Sequence, residues 1–254
     1  MKYYRILFSF IFVYVFFGFF IYFSQSSFIY FPSNQDFFDC SGFQGFDRVS
    51  YKDTNFYFLN KSEQRVLVFY HGNAGSVCDR SPIANFFYDK DISLIFVEYA
   101  GYGDSSISPS KDLILGNVLD VGSFTDSFSE VFVLGASIGS GPASFQAFSF
   151  DNVNKVFLVN PFDSLKSVAR ESFFFYPVGF MLRENYDNVF WLEGFDGEVH
   201  IFHGEDDVTI SPSHSYNLYN SLRDVNVSYI LIEGASHNDI WSFFEFTDNL
   251  RSFI

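Results

Sequence analysis

The chain has 254 residues and a formal charge of −15, with a pI near 4.5. That length suits one α/β domain of about 220 residues plus a terminal segment. Such an acidic domain repels nucleic acid and anionic surfaces, and no Cys-x-x-Cys, His-Glu-x-x-His or phosphate-loop pattern is present to support a metal or nucleotide cofactor.

Residues 6–23 carry no charge. At a rise of about 1.5 Å per residue they reach about 27 Å as a helix, close to the thickness of a bilayer's hydrocarbon core. Lys2 and Arg5 precede the run, Tyr3, Tyr4, Tyr22 and Tyr30 flank it, and the next charges, Asp36 and Asp39, are acidic. The reading is a membrane anchor over 1–27 with a cytoplasmic N-terminus, and a catalytic domain over 28–254 on the non-cytoplasmic side. A cleaved signal peptide competes with it, because Ser24-Gln25-Ser26 offers small residues at a cleavage position.

Beyond the anchor, weak strand patterns at 49–51 and 55–59 lead into apolar runs at 66–70, 93–98, 131–134, 155–159, 199–203 and 227–232. Helical patterns alternate with them at 76–88, 112–122, 140–150, 164–173, 212–223 and 238–253. The alternation predicts a mainly parallel, twisted sheet with helices on both faces, whose functional residues lie at the C-terminal strand ends. Only residues 164–198 remain between the turn after 155–159 and the next strand, which leaves room for a short lid; Phe173, Phe174, Phe175, Tyr176, Pro177, Phe180 and Met181 either line an apolar groove there or pack as an ordinary surface helix. Cys40 and Cys78 permit one bridge, which spacing alone does not decide.

Four motifs end four of these runs. Gly135-Ala136-Ser137-Ile138-Gly139 has the strand–turn–helix setting of a nucleophile elbow, with glycines where the bend is crowded. His71-Gly72-Asn73-Ala74-Gly75 offers a backbone N–H at Asn73, and Ile138 after the serine offers a second; acyl transfer needs two such donors for the oxyanion. His203-Gly204-Glu205-Asp206-Asp207 supplies a carboxylate, and Gly234-Ala235-Ser236-His237-Asn238-Asp239 supplies the one histidine of five that lies in a small-residue loop after the last strand. The order Ser…Asp…His is that of a serine-hydrolase triad on this fold class, with Ser137 as nucleophile, His237 as base and Asp207 as its orienting acid. Asp163, after the preceding strand, is the fallback acid.

With these motifs in place the chain resembles the α/β-hydrolases, in particular the small membrane-anchored branch whose eukaryotic members include protein depalmitoylases. The resemblance covers residues 28–254 and extends to Tyr30-Phe31-Pro32-Ser33, to Glu98-Tyr99-Ala100-Gly101-Tyr102-Gly103-Asp104-Ser105 and to Asn160-Pro161-Phe162-Asp163-Ser164-Leu165. Ala100 stands where the family usually has Arg, and Val208-Thr209 follows the acid where it has Val-Pro. The pattern HGxxD selects Asp207 within its loop. The resemblance implies an α/β-hydrolase fold and cleavage of a carboxylic ester or acyl thioester, with a small or lipid-like acyl substrate and no cofactor. A serine peptidase on the same triad, or a non-catalytic membrane-tethered binding protein, are the alternatives.

Overall fold

The structure is a computed structural model that describes residues 2–254; Met1 and the side chain of Lys2 lie outside the described residues. Helix α1 (Lys2–Phe23) is followed by a short α2 (Gln25–Ile29) and by β1 (Phe31–Pro32). Over Tyr3–Phe23 only 6% of the hydropathic window is buried, so most apolar side chains of α1 point outward, and the helix touches the domain along one narrow stripe. A water-soluble core helix would instead bury its apolar face.

Eight strands form the main sheet. In chain order they are β2 (Asp47–Tyr51), β3 (Thr54–Leu59), β4 (Arg65–Tyr70), β6 (Ser93–Glu98), β7 (Glu130–Ala136), β8 (Val153–Val159), β9 (Glu198–Gly204) and β10 (Asn226–Ile232). Their spatial order is β10-β9-β8-β7-β4-β6-β3-β2. The pairings β2–β3 and β3–β6 are antiparallel and all others parallel. The two strands read as weak are thus the antiparallel edge, where one polar face is tolerated. A separate two-stranded ladder pairs β1 with β5 (Ala74–Gly75).

Because successive side chains alternate across a strand, the central strands feed two cores. Val66, Val68, Val133 and Leu158 point to one, under α4 (Lys111–Phe124), α5 (Ser140–Ser149), α8 (Asn188–Leu192) and α9 (Pro212–Ser221). Leu67, Phe69, Leu134 and Val159 point to the other, under α3 (Ser81–Ala84) and α10 (Phe244–Ser252). The remaining short helices, α6 (Leu165–Ser172) and α7 (Val178–Met181), make the lid.

Two helical expectations resolve into shorter pieces. Over 76–88, Ser76 and Asp79 cap a single 3-10 turn reciprocally, Arg80 leaves helical geometry, and Pro82, which lacks an N–H, sits in the first turn of α3. Over 238–253, Phe243 is extended and separates a 3-10 turn at Ile240–Ser242 from α10, with the Trp241 indole packed against Phe69, Phe86 and Phe246. Cys40 and Cys78 form a disulfide, with Cα atoms 5.8 Å apart.

Candidate active site

Ser137 opens a 3-10 turn between β7 and α5, at φ +55°. A side chain in this left-handed region is held there against its own sterics. The flanking glycines are required by contact. A Cβ on Gly135 would lie 2.3 Å from the Gly139 carbonyl oxygen, and one on Gly139 would lie 2.2 Å from that of Tyr70. The bend closes only with hydrogen at both positions, and it leaves Ser137 half-buried at the sheet's C-terminal edge.

His237 reaches this serine from the loop after β10. Its Nε2 lies 3.0 Å from Ser137 Oγ and its Nδ1 2.6 Å from Asp207 Oδ2. A carboxylate can only accept, so Nδ1 carries the proton and Nε2 presents its lone pair to the hydroxyl. Asp207 is buried, and its other oxygen accepts from the amides of Thr209 (2.8 Å) and Ile210 (2.9 Å). Burial works against ionisation of Asp207. Hydrogen bonds from His203, His237 and the Ile210 amide outweigh it and hold the carboxyl well below the usual carboxylate range. Glu205 and Asp206 are exposed, and Asp163 bonds His214 Nδ1 at 2.8 Å.

Asn73 shares a cleft with the serine, and Ile138 follows it in the same turn. A Cβ on Gly72 would sit 3.7 Å from Ser137 Cβ, so the early loop runs directly beside Ser137. His71 Nδ1 donates to the Gly72 carbonyl at 2.8 Å. In a trans peptide the N–H points opposite to the C=O, so this bond fixes the direction of the Asn73 amide. The Asn73 carbonyl is held in turn by the Phe31 amide (2.9 Å) and the Tyr102 hydroxyl (2.7 Å). The Ile138 amide belongs to the first turn of a helix, where N–H groups have no intrahelical partner. Gly72, Asn73, Ser137, Asn160, His237 and Trp241 share one cleft of about 400 Å³.

Two side chains in this arrangement had no role in the sequence reasoning. His203 is fully buried; its Nε2 lies 3.0 Å from the Ile210 carbonyl and 3.3 Å from Asp207 Oδ2. The carbonyl can only accept, so His203 is a fixed donor to the carboxylate that orients His237. Asn160, at φ +48°, accepts from the Gly204 amide (2.9 Å) and donates to the His237 carbonyl (2.9 Å). It ties the acid strand to the histidine loop. The sequence carried a signal only for Asn160, as an Asn-Pro turn after a strand.

Known proteins resemble the chain in both sequence and fold. It is 27% identical over 195 residues to an α/β-hydrolase of Acanthamoeba polyphaga mimivirus, covering 71% of this chain and 70% of that one. It is 25% identical over 207 residues to α/β-hydrolase domain-containing protein 17B of Xenopus laevis, covering 76% and 67%. The chain thus spans about two thirds of the length of the curated relatives it matches. The esterase Pf2001 of Pyrococcus furiosus superposes with a TM-score of 0.69 at 15% identity, over 88% of this chain and 96% of that one. No family model matches. The fold is that of an α/β-hydrolase, and the relatives support a likeness to that superfamily.

Proposed function

We propose that this α/β-hydrolase is a membrane-anchored serine hydrolase that cleaves a carboxylic ester or acyl thioester. What supports the reading is the unbroken line of hydrogen bonds from Ser137 through His237 to Asp207, set on a strained turn beside two free backbone donors. Ser137 Oγ attacks the acyl carbon while His237 Nε2 takes its proton. The amides of Asn73 and Ile138 hold the negative oxygen of the tetrahedral intermediate, and Asp207 steadies the imidazolium. His237 then protonates the departing alcohol or thiol, leaving an acyl-serine. Water, deprotonated by His237, hydrolyses it. Such chemistry uses side chains and backbone alone.

The substrate class is tested by comparing p-nitrophenyl esters and acyl thioesters with aminoacyl amides. Esters of short to medium chains should be cleaved with the higher kcat/KM. Amides winning that comparison would make the protein a peptidase, and failure of a fluorophosphonate to label Ser137 would leave a binding protein.

Residues 1–27 are read as the anchor and 28–254 as the hydrolase domain, on the non-cytoplasmic side. The disulfide between Cys40 and Cys78 supports that side, since such bridges persist in oxidising compartments and are rare in the cytosol. Protease added to cells opened only at their outer barrier should digest the domain. Complete protection would place it in the cytoplasm, and a mature N-terminus near Ser27 would turn the anchor into a signal peptide.

A further inference from the structure

We propose that the lid segment 173–181 is itself immersed in the lipid leaflet beside α1, and that the apolar cavity behind it holds the acyl chain of a membrane lipid. The proposal rests on the membrane-anchor reading of α1.

The segment touches α1 well inside the span. Tyr14 donates its hydroxyl to the Phe175 carbonyl at 2.8 Å, Tyr176 donates its own to the Tyr14 carbonyl at 3.0 Å, and the two rings stack at 4.6 Å. Gly18 lets the Tyr176 ring approach; a Cβ there would lie 3.2 Å from it. Tyr14 is nine residues before Phe23, so it lies about 14 Å below the end of α1, near the middle of a core about 30 Å thick. If α1 crosses a bilayer, whatever is bonded to Tyr14 lies within the hydrocarbon too.

The composition and bonding of the segment fit that depth. Phe174 is 82% exposed and Phe180 93%, with Phe175 and most of the large apolar side chains of α1 exposed beside them. Lipid, unlike water, tolerates such rings. Hydrocarbon also requires that backbone donors be satisfied internally. Here the Phe173 amide bonds Ala169, Tyr176 bonds Phe173, Val178 bonds Tyr176, Phe180 bonds Pro177 and Leu182 bonds Val178, while the Phe174 and Phe175 amides have no acceptor among the described residues. Polar groups gather where α1 ends. Gln25 donates to the carbonyls of Tyr22 and Met181 and accepts from the Arg183 amide, stapling the segment's return to the anchor. The Arg183 guanidinium lies 4.8 Å over the Tyr22 ring, and Lys111 Nζ lies 3.5 Å from the Arg183 carbonyl. Two cations at this level, on a chain of net charge −15, are placed for lipid phosphates.

Between anchor and lid lies a cavity of about 190 Å³, walled by Ile21 and Phe28 on one side and Val168, Ala169, Phe173 and Tyr176 on the other. Its walls are almost wholly apolar, and its position on this face makes an alkyl chain the occupant at hand. It shares no lining residue with the cleft that holds Ser137. The same face nevertheless adjoins the chemistry. Residues 24–30 alone separate α1 from Phe31, whose amide bonds Asn73, so the early loop lies within about 28 Å of the end of the span even for a fully extended connection.

The test uses the full chain reconstituted in phosphatidylcholine vesicles whose acyl chains carry bromine near mid-chain. Tryptophan is introduced as Phe180→Trp or, on the exposed far edge of the sheet, as Leu231→Trp. The emission added by Phe180→Trp should be largely quenched and that added by Leu231→Trp untouched; equal quenching overturns the immersion. In vesicles containing a diazirine-bearing phosphatidylcholine, label should fall on 165–182, and Ala169→Trp should remove it while thermal unfolding is unchanged. If that variant fails to fold, Val168→Phe fills the same space. Label that persists in a folded, filled variant, or that falls on α1 alone, overturns the acyl-chain site. Neither readout uses turnover, so a wild-type chain that cleaves no ester while both results hold overturns only the hydrolase reading.

Discussion

Ser137→Ala should abolish ester turnover, by about 10⁴-fold or more, and leave the fold in place. The expected loss corresponds to about 5.4 kcal/mol of transition-state stabilisation. It is large because the acyl-enzyme route has no second nucleophile: the cleft offers no cysteine, since both are in the disulfide. The fold should survive because alanine keeps the Cβ that already sits at φ +55°, while Gly135 and Gly139, which close the bend, are unchanged. Turnover of a p-nitrophenyl ester, measured beside the thermal midpoint, separates the two effects. A variant retaining more than a tenth of the wild-type rate would sink the mechanism.

The parts of this molecule that follow from local pattern were legible in the sequence. The central strands are unbroken apolar runs because both their faces are covered, and such runs announce themselves. The elbow glycines were legible as a local motif, although only Gly135 answers to an atom four residues away; Gly139 answers to the Tyr70 carbonyl of another strand. What remained hidden depends on pieces distant in sequence. His203 looked like the head of a loop motif, and its donation to Asp207 exists only because Ile210 turns back over it. Asn160 bridges Gly204 and His237, partners 44 and 77 residues away. The break at 76–88 came from Pro82 and the Ser76–Asp79 cap overriding an apolar periodicity, and the bridge between Cys40 and Cys78 from a fold that brings two separated segments together. The aromatic lid could be read as groove or as packing until α1 was seen beside it, because helical spacing says nothing about which solvent a face meets.

Asp207→Asn should cripple turnover almost as severely as loss of the serine, by roughly 10⁴-fold, whereas Asp206→Asn should be mild. The two residues are neighbours in the chain and opposites in environment. Asp206 is exposed; Asp207 is buried among four donors, from His203, His237, Thr209 and Ile210. An amide at position 207 would turn an N–H₂ group towards His237 Nδ1 or towards the backbone amides. Either choice sets donor against donor. The usual relief is for His237 to move its proton to Nε2, which removes the lone pair that Ser137 needs. The pH profile carries a second mark of the same arrangement. Because the bonds to Asp207 depress its pKa, the wild-type carboxylate stays charged far into acid, and its stabilising contribution is fully present above the unfolded value and lost progressively as pH falls from there through the lower, folded one. Acid unfolding of Asp207→Asn should therefore begin from a lower stability at neutral pH and show a shallower loss towards pH 3. Were Asp206→Asn the crippled variant, or Asp163→Asn, the carboxylate bonded to His237 would not be the one that serves it in turnover.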